Sequence, residues 1–225
     1  MGISVAAARA PEGRPGIRPV SRPWTFVSIV ERTFAFLLLI ALIPVLVLAG
    51  VTVALLSGRS PFVALARAGL RGKRMWLLKL RTMWGEEECE HAGGRLVQRI
   101  AYARVPETKT SDDPRVTSAF AAFCRKYSID ELPQLWNVVR GEMALVGPRP
   151  LTYIELESYY GYDAEEVLSV KPGLTGLWQV RGRNSLTYRE RLALDLYLVR
   201  NWSLRLYVSV VAATVLAVIS GRNAG

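Results

Sequence analysis

Residues 34–56 read FAFLLLIALIPVLVLAGVTVALL, 23 residues without a charge. The run exceeds the roughly 20 residues that an α-helix needs to cross a bilayer. The plain reading is a transmembrane helix. Pro44 complicates it, because proline inside a regular helix removes a backbone hydrogen bond and costs about 3 kcal/mol. The flanks complicate it further. Arg9, Arg14, Arg18, Arg22 and Arg32 precede the run, and Arg59, Arg67, Arg71, Lys73, Arg74, Lys79 and Arg81 follow it. A span would carry one basic set across the membrane, against the tendency of Lys and Arg to remain on the cytoplasmic side. A helix that breaks at Pro44 and returns keeps both sets on one face, where each Lys or Arg near anionic lipid gains about 1 kcal/mol. These features favour a re-entrant membrane helix over residues 27–58.

Outside that run the chain divides simply. Residues 1–26 are rich in Pro, Gly, Ala and Arg and read as a flexible basic tail. The apolar stretch starts late and lacks a small-residue cleavage site, which argues against a secretory signal. Residues 59–225 are long enough for one catalytic domain. The net charge of +10 points to anionic partners, namely nucleic acid, an anionic bilayer or phosphorylated ligands. The positive mean hydropathy tilts the choice toward the membrane. Cys89 and Cys124 have no CxxC spacing, so a disulfide framework is not expected. Cys89 and His91 sit in EEECEH, but two soft ligands are too few for a zinc centre, and an acidic loop over residues 85–94 is the expectation.

Local patterns predict an α+β, helix-dominated fold. Residues 62–84 read as a β-hairpin turning at 69–73. Residues 118–127 read as a short Ala-rich helix. Residues 155–168 and 188–200 read as amphipathic helices, separated by Pro172-Gly173 and Gly182. Residues 206–219 form a second apolar stretch, too short to span. With Trp202, Arg205 and Tyr207 at its start, it suits a helix at the membrane interface or packed on the core.

The densest polar information is in residues 124–134, CRKYSIDELPQ. Ser128 followed by Glu131 fits a capping box, and Asp130 in a first helical turn complements the dipole. On that reading both acids are only helix stabilisers. Pro133 conflicts with it, since it would fall in the second turn. Conflicts between local rules concentrate at functional sites. Cations surround the pair in sequence: Lys79 and Arg81 in LKLRTM, Arg125 one helical turn before the acids, and Arg149 in VGPRP. Prolines and a glycine stiffen the backbone around Arg149, which pre-organises a phosphate clamp.

Five segments in order resemble one family. Residues 78–83 (LKLRTM), 113–117 (DPRVT), 128–134 (SIDELPQ), 141–150 (GEMALVGPRP) and 171–183 (KPGLTGLWQVRGR), extended by 192–204 (LALDLYLVRNWSL), are similar to the bacterial sugar transferases, the monotopic polyprenyl-phosphate phosphoglycosyl transferases. The last two stretches look most like members that start exopolysaccharide or O-antigen repeats with a hexose-1-phosphate. Many relatives carry an added N-terminal multi-helix region, and this chain resembles the form without it. It departs from the family in Ile43-Pro44, where Ser often precedes the proline. It departs again in residues 61–69, which lack the usual Gln, and in Tyr207-Val208-Ser209, where Asp-Leu-Lys is usual.

The resemblance implies transfer of a sugar-1-phosphate from a UDP-sugar to polyprenyl phosphate, with release of UMP. Asp130 is then the nucleophile and Glu131 the ligand of Mg²⁺, with Lys79, Arg125 and Arg149 on phosphate oxygens. An aspartate in water titrates near about 3.9 and needs no general base at neutral pH. Two unit charges 4 Å apart repel by about 4 kcal/mol at an effective dielectric of 20, which a hard divalent ion offsets. Gly173, Gly176, Gln179, Gly182, Arg183 and Asn184 are candidate nucleotide-sugar contacts, although glycine turns near a Trp178 core explain the glycines as well. The implied location is the bacterial inner (cytoplasmic) membrane with the site on the cytoplasmic face. The implied partners are an anionic bilayer and downstream glycosyltransferases, with no nucleic acid. The rival readings are a membrane-anchored nucleic-acid binder, which leaves DELPQ and GPRP unexplained, and a scaffold without catalysis, against which the intact acid pair argues.

Overall fold

A computed structural model describes residues 24–83, 91–93, 96–101, 116, 118–182 and 186–220. Residues 1–23 of the expected tail, the first part of the expected acidic loop and most of DPRVT lie outside the described residues. The fold is α+β and helix-dominated, as the patterns predict.

Helix α1, Trp24–Ser57, is the longest element and is long and apolar enough to cross a membrane. It starts three residues before the expected boundary. It also continues through Pro44, so the expected break does not divide it into two helices. Its burial pattern inverts that of a soluble helix. The residues that face the protein are small, with Ala35, Ala49, Gly50 and Val53 buried, while Phe34, Leu37, Val47, Leu48 and Leu55 face outward. Small residues let the backbone come close: a Cβ on Gly50 would lie 3.3 Å from the Phe62 ring.

Both halves of α1 pack on one body. Before Pro44, Ala35 with Leu38, Leu39 and Leu42 meets Met75, Leu77, Leu135, Val138 and Met143. After it, Ala49 and Val53 meet Phe62, Leu80, Phe120, Cys124 and Ile129. At the start, buried Glu31 accepts the Leu145 N–H at 3.0 Å and the Tyr207 hydroxyl at 2.9 Å, and Arg32 donates to the Val139 carbonyl at 2.8 Å.

The expected hairpin is present as β1 (Phe62–Ala68) and β2 (Arg74–Leu80), antiparallel with Phe62 opposite Leu80. Its turn uses Gly72 and Arg71 in left-handed backbone. The hairpin belongs to a four-stranded sheet of order β2-β1-β4-β3. Strand β4 (Val97–Ile100) runs parallel to β1, and β3 (His91–Gly93) occupies the end of what the sequence suggested was a loop. Both strands are short and are held by pairing rather than by a pattern of their own.

Helix α2 (Ala119–Lys126) is capped by Ser118 and leads into a 3₁₀ helix, Ile129–Gln134, and then α3 (Leu135–Val139). Asn137 on α3 is 1% exposed and ties α3 to β2: its Oδ1 accepts the Leu78 N–H and its Nδ2 donates to the Trp76 carbonyl. Strands β5 (Ala144–Val146) and β6 (Gly173–Thr175) pair in parallel. The single helix expected over residues 155–168 is instead four short pieces: α4 (Tyr153–Glu155), a π turn (Leu156–Tyr160), a 3₁₀ turn (Gly161–Asp163) and α5 (Ala164–Val167). A capping box between Thr152 and Glu155 starts the run earlier, and Gly161, with φ of 47°, breaks it. Helix α6 (Leu177–Arg181) follows β6. Helix α7 (Tyr188–Arg200) matches its expected span and is capped by Thr187 with Glu190. Helix α8 (Leu204–Ile219) starts two residues before the predicted apolar stretch, capped by Ser203.

Candidate active site

The acid pair lies where α2 ends. Ser128 adopts left-handed backbone with φ of 55° and makes no side-chain cap, so the local capping-box explanation of Asp130 and Glu131 does not hold. The chain instead winds as a 3₁₀ helix that contains Pro133. Ile129 anchors this turn against α1 and Leu80 of β2. The two acids diverge from there. Asp130 is 8% exposed, and after desolvation its charge is the second cause that pushes the Cys124 thiol up to about 11. Glu131 turns to β2, where its Oε1 lies 3.1 Å from the Lys79 ammonium. Lys79 and Glu131 are 52 residues apart and meet because β2 and the 3₁₀ turn are neighbours.

The other predicted cations are distributed unevenly. Arg125 is half-buried in the last turn of α2, five positions before Asp130, and its carbonyl accepts the Ser128 N–H at 3.2 Å. Arg81 is buried and structural: its Nε donates to the Ser60 carbonyl at 2.8 Å and its Nη2 to Gln98. Arg149 joins a second polar cluster. Its guanidinium lies 5.4 Å from the Trp178 ring centroid, and its charge acts on the buried Asp195 carboxyl.

That second cluster was not legible in the sequence as a site. Asp195 on α7 is fully buried, and its Oδ2 accepts the Tyr160 hydroxyl at 3.0 Å. Desolvation raises the Asp195 carboxyl to about 7, partly opposed by Tyr160 and Arg149. Burial, and then the neighbouring Arg149, lower Arg67 to about 10. The one available signal was Thr-x-x-Glu at 187–190, which fixes the start of α7 and so the face that carries Asp195.

The glycines between the clusters bring backbones together. A Cβ on Gly173 would fall 2.1 Å from the Gly147 nitrogen, and one on Gly176 would fall 2.5 Å from the Gly147 oxygen. These contacts hold GPRP against β6, with the Gly173 N–H donating to the Pro148 carbonyl at 2.8 Å. Gln179 is buried, its Nε2 pointing to the Leu174 carbonyl at 3.5 Å. Gly182 closes α6. Arg183 and Asn184 lie outside the described residues.

Comparison with known proteins gives this arrangement a context. The profile of the family described as "Bacterial sugar transferase" matches residues 23–221. Exopolysaccharide production protein ExoY of Sinorhizobium fredii is 41% identical over 224 residues, covering 95% of this chain and 93% of the relative. UDP-glucose:undecaprenyl-phosphate glucose-1-phosphate transferase of Caulobacter vibrioides is 36% identical over 204 residues, covering 87% of this chain and 70% of the relative. Undecaprenyl-phosphate galactose phosphotransferase of Salmonella typhimurium is 43% identical over 141 residues, covering 61% of this chain and 29% of that longer protein.

Proposed function

The chain belongs to the bacterial sugar transferases, and on that premise we propose that it transfers a hexose-1-phosphate from a UDP-hexose to polyprenyl phosphate, starting a polysaccharide repeat. The observation that carries this reading is the divergence of the acid pair. Asp130 is buried in a turn packed on α1, while Glu131 pairs with Lys79 beside it.

Asp130 acts as the nucleophile. Its carboxylate oxygen bonds to the sugar-side phosphorus, the bond from that phosphorus to the bridging oxygen breaks, and the electron pair leaves with UMP. A phosphate oxygen of the lipid then attacks the same phosphorus, and the Asp130 carboxylate departs. Arg125 and Arg149 hold phosphate oxygens, and Lys79 fixes the rotamer of Glu131. Mg²⁺ commonly uses one or two protein carboxylates together with substrate phosphates. Glu131, turned away from Asp130 toward β2, is the carboxylate that would hold it, supplying one protein oxygen. Bound there, the ion would offset the repulsion between carboxylate and phosphate.

The acceptor chain remains in the bilayer, so the site must sit at its surface. The outward face of α1 carries large apolar residues and its inward face small ones, which suits a lipid surround. From Glu31 to Val53 a straight helix rises about 33 Å, close to the roughly 30 Å of the hydrocarbon core. A straight span would set those residues at opposite surfaces, yet both are buried against the same domain. That supports a re-entrant seat on one side of the membrane, and the basic flanks favour the cytoplasmic side of the inner membrane. Withholding the lipid acceptor tests the covalent step: rapid-quench mass spectrometry should find a hexose-phosphate adduct on the peptide containing Asp130. Turnover without any such adduct would favour direct transfer between the substrates.

A further inference from the structure

Arg149 and Arg191 come from different elements and end against the same indole. Their guanidinium carbons lie 5.4 Å and 4.9 Å from the Trp178 ring centroid. Trp178 is 3% exposed, so the ring is fixed in place. Arg191 also lies 5.0 Å from the Tyr188 centroid, and Tyr188 stacks on Tyr159 at 3.8 Å. Both arginines are therefore held on aromatic faces that cost them little reach.

Like charges gathered in this way call for an anion. Among the described residues, the ion pairs join Lys79 to Glu131, Arg140 to Glu142 and Arg200 to Glu166, and none includes Arg149 or Arg191. Neither carboxylate in the cluster forms an ion pair with Arg149 or Arg191. Glu155 accepts from the Thr152 N–H and hydroxyl. Asp195 accepts from the Tyr160 hydroxyl through Oδ2, while its Oδ1 is buried without a hydrogen-bond partner. Arg67 adds a third, half-buried cation close enough to Arg149 to feel its charge. Two buried donors here lack acceptors, Nε of Arg191 and Nε1 of Trp178, as two buried acceptors, Oδ1 of Asp195 and Oε1 of Gln179, lack donors. The Nε edge of a guanidinium is one that binds phosphate in the two-pronged manner.

We propose that Arg191 is a second phosphate-holding residue, paired with Arg149 across the Trp178 indole, and that this clamp takes a phosphoryl group from the nucleotide donor or the lipid acceptor. Two planar guanidiniums match the charge of a phosphate dianion and direct several N–H groups at it. The identity of the two substrates rests on the transferase reading above; the anion chemistry of the clamp does not.

The test uses the full chain in nanodiscs. Inorganic pyrophosphate and UDP are titrated calorimetrically into the parent, Arg191→Gln and Arg191→Lys, and KM is measured for UDP-hexose and for polyprenyl phosphate. Arg191→Gln should weaken pyrophosphate binding by about ten- to a hundredfold, with Arg191→Lys between it and the parent. A KM increase confined to UDP-hexose identifies the donor phosphate, and one confined to polyprenyl phosphate identifies the acceptor. Unchanged pyrophosphate affinity together with both KM values unchanged would overturn the proposal. If Arg191→Gln does not fold, Arg191→Lys carries the test, and parent-like affinity in it overturns the clamp. A parent that binds pyrophosphate but releases no UMP would sink the transferase reading and leave the clamp standing. Normal turnover with an indifferent Arg191→Gln would do the reverse.

Discussion

Asp195 has a titration that runs against the usual behaviour of a carboxylate in a folded protein. Burial raises its pKa from 3.8 to about 7. Between those values the folded state binds more protons than the unfolded state, so this group makes stability fall as pH rises from about 4 to 7. Below pH 4 both states are protonated and its contribution is flat. Asp195→Asn removes the ionisation and keeps an acceptor oxygen for Tyr160. Its melting temperature should exceed that of the parent above pH 7, and the gap should close as pH falls toward 4. A constant gap across that range would contradict the assignment. This residue also marks the limit of sequence reading. Asp130, Glu131 and Arg125 lie within seven positions and could be read together, with Lys79 drawn in by its motif. Asp195, Tyr160, Arg149 and Arg191 meet only after three elements fold, and on α7 Asp195 looks like any polar position of an amphipathic helix.

Among the elements, the parallel pair of β5 and β6 is the most tightly constrained. Gly147 and Gly173 approach through bare backbone, leaving no room for a methyl group. Gly173→Ala should cost about 3 kcal/mol or more, or prevent folding, because backbone rather than a movable side chain must give way. A urea melt within about 1 kcal/mol of the parent would contradict this packing. The hairpin and α7 are legible because strand-like runs with turn residues, and an amphipathic pattern bounded by Gly182, lie within short windows. Strands β3 and β4 were not, since β4 pairs in parallel with β1 across some thirty residues of chain and leaves no local period. The broken run after Thr152 departs from its pattern for a different reason: its apolar spacing suits a helix, but Gly161 takes a positive φ that ends it.

For the whole molecule, the arrangement of anchor and site makes a topological claim. Single cysteines at Thr33 and Gly58, in a chain without Cys89 and Cys124, should both react with an impermeant thiol reagent from the cytoplasmic face. Labelling from opposite faces would establish a span and require a different relation between α1 and the site. Pattern and length announced an apolar helix, but its contact with one domain on both sides of Pro44 depends on residues far apart in the chain. The same packing sets Ile129, and with it the acid pair, against α1. The most direct measurement is UMP release from a panel of UDP-hexoses, with Mg²⁺ and polyprenyl phosphate, by the reconstituted full chain. At least one sugar should give UMP with the parent, and Asp130→Asn should lower the rate by about a thousandfold or more while remaining folded. Folded parent protein that releases no UMP across the panel, or an Asp130→Asn variant as fast as the parent, would contradict the account.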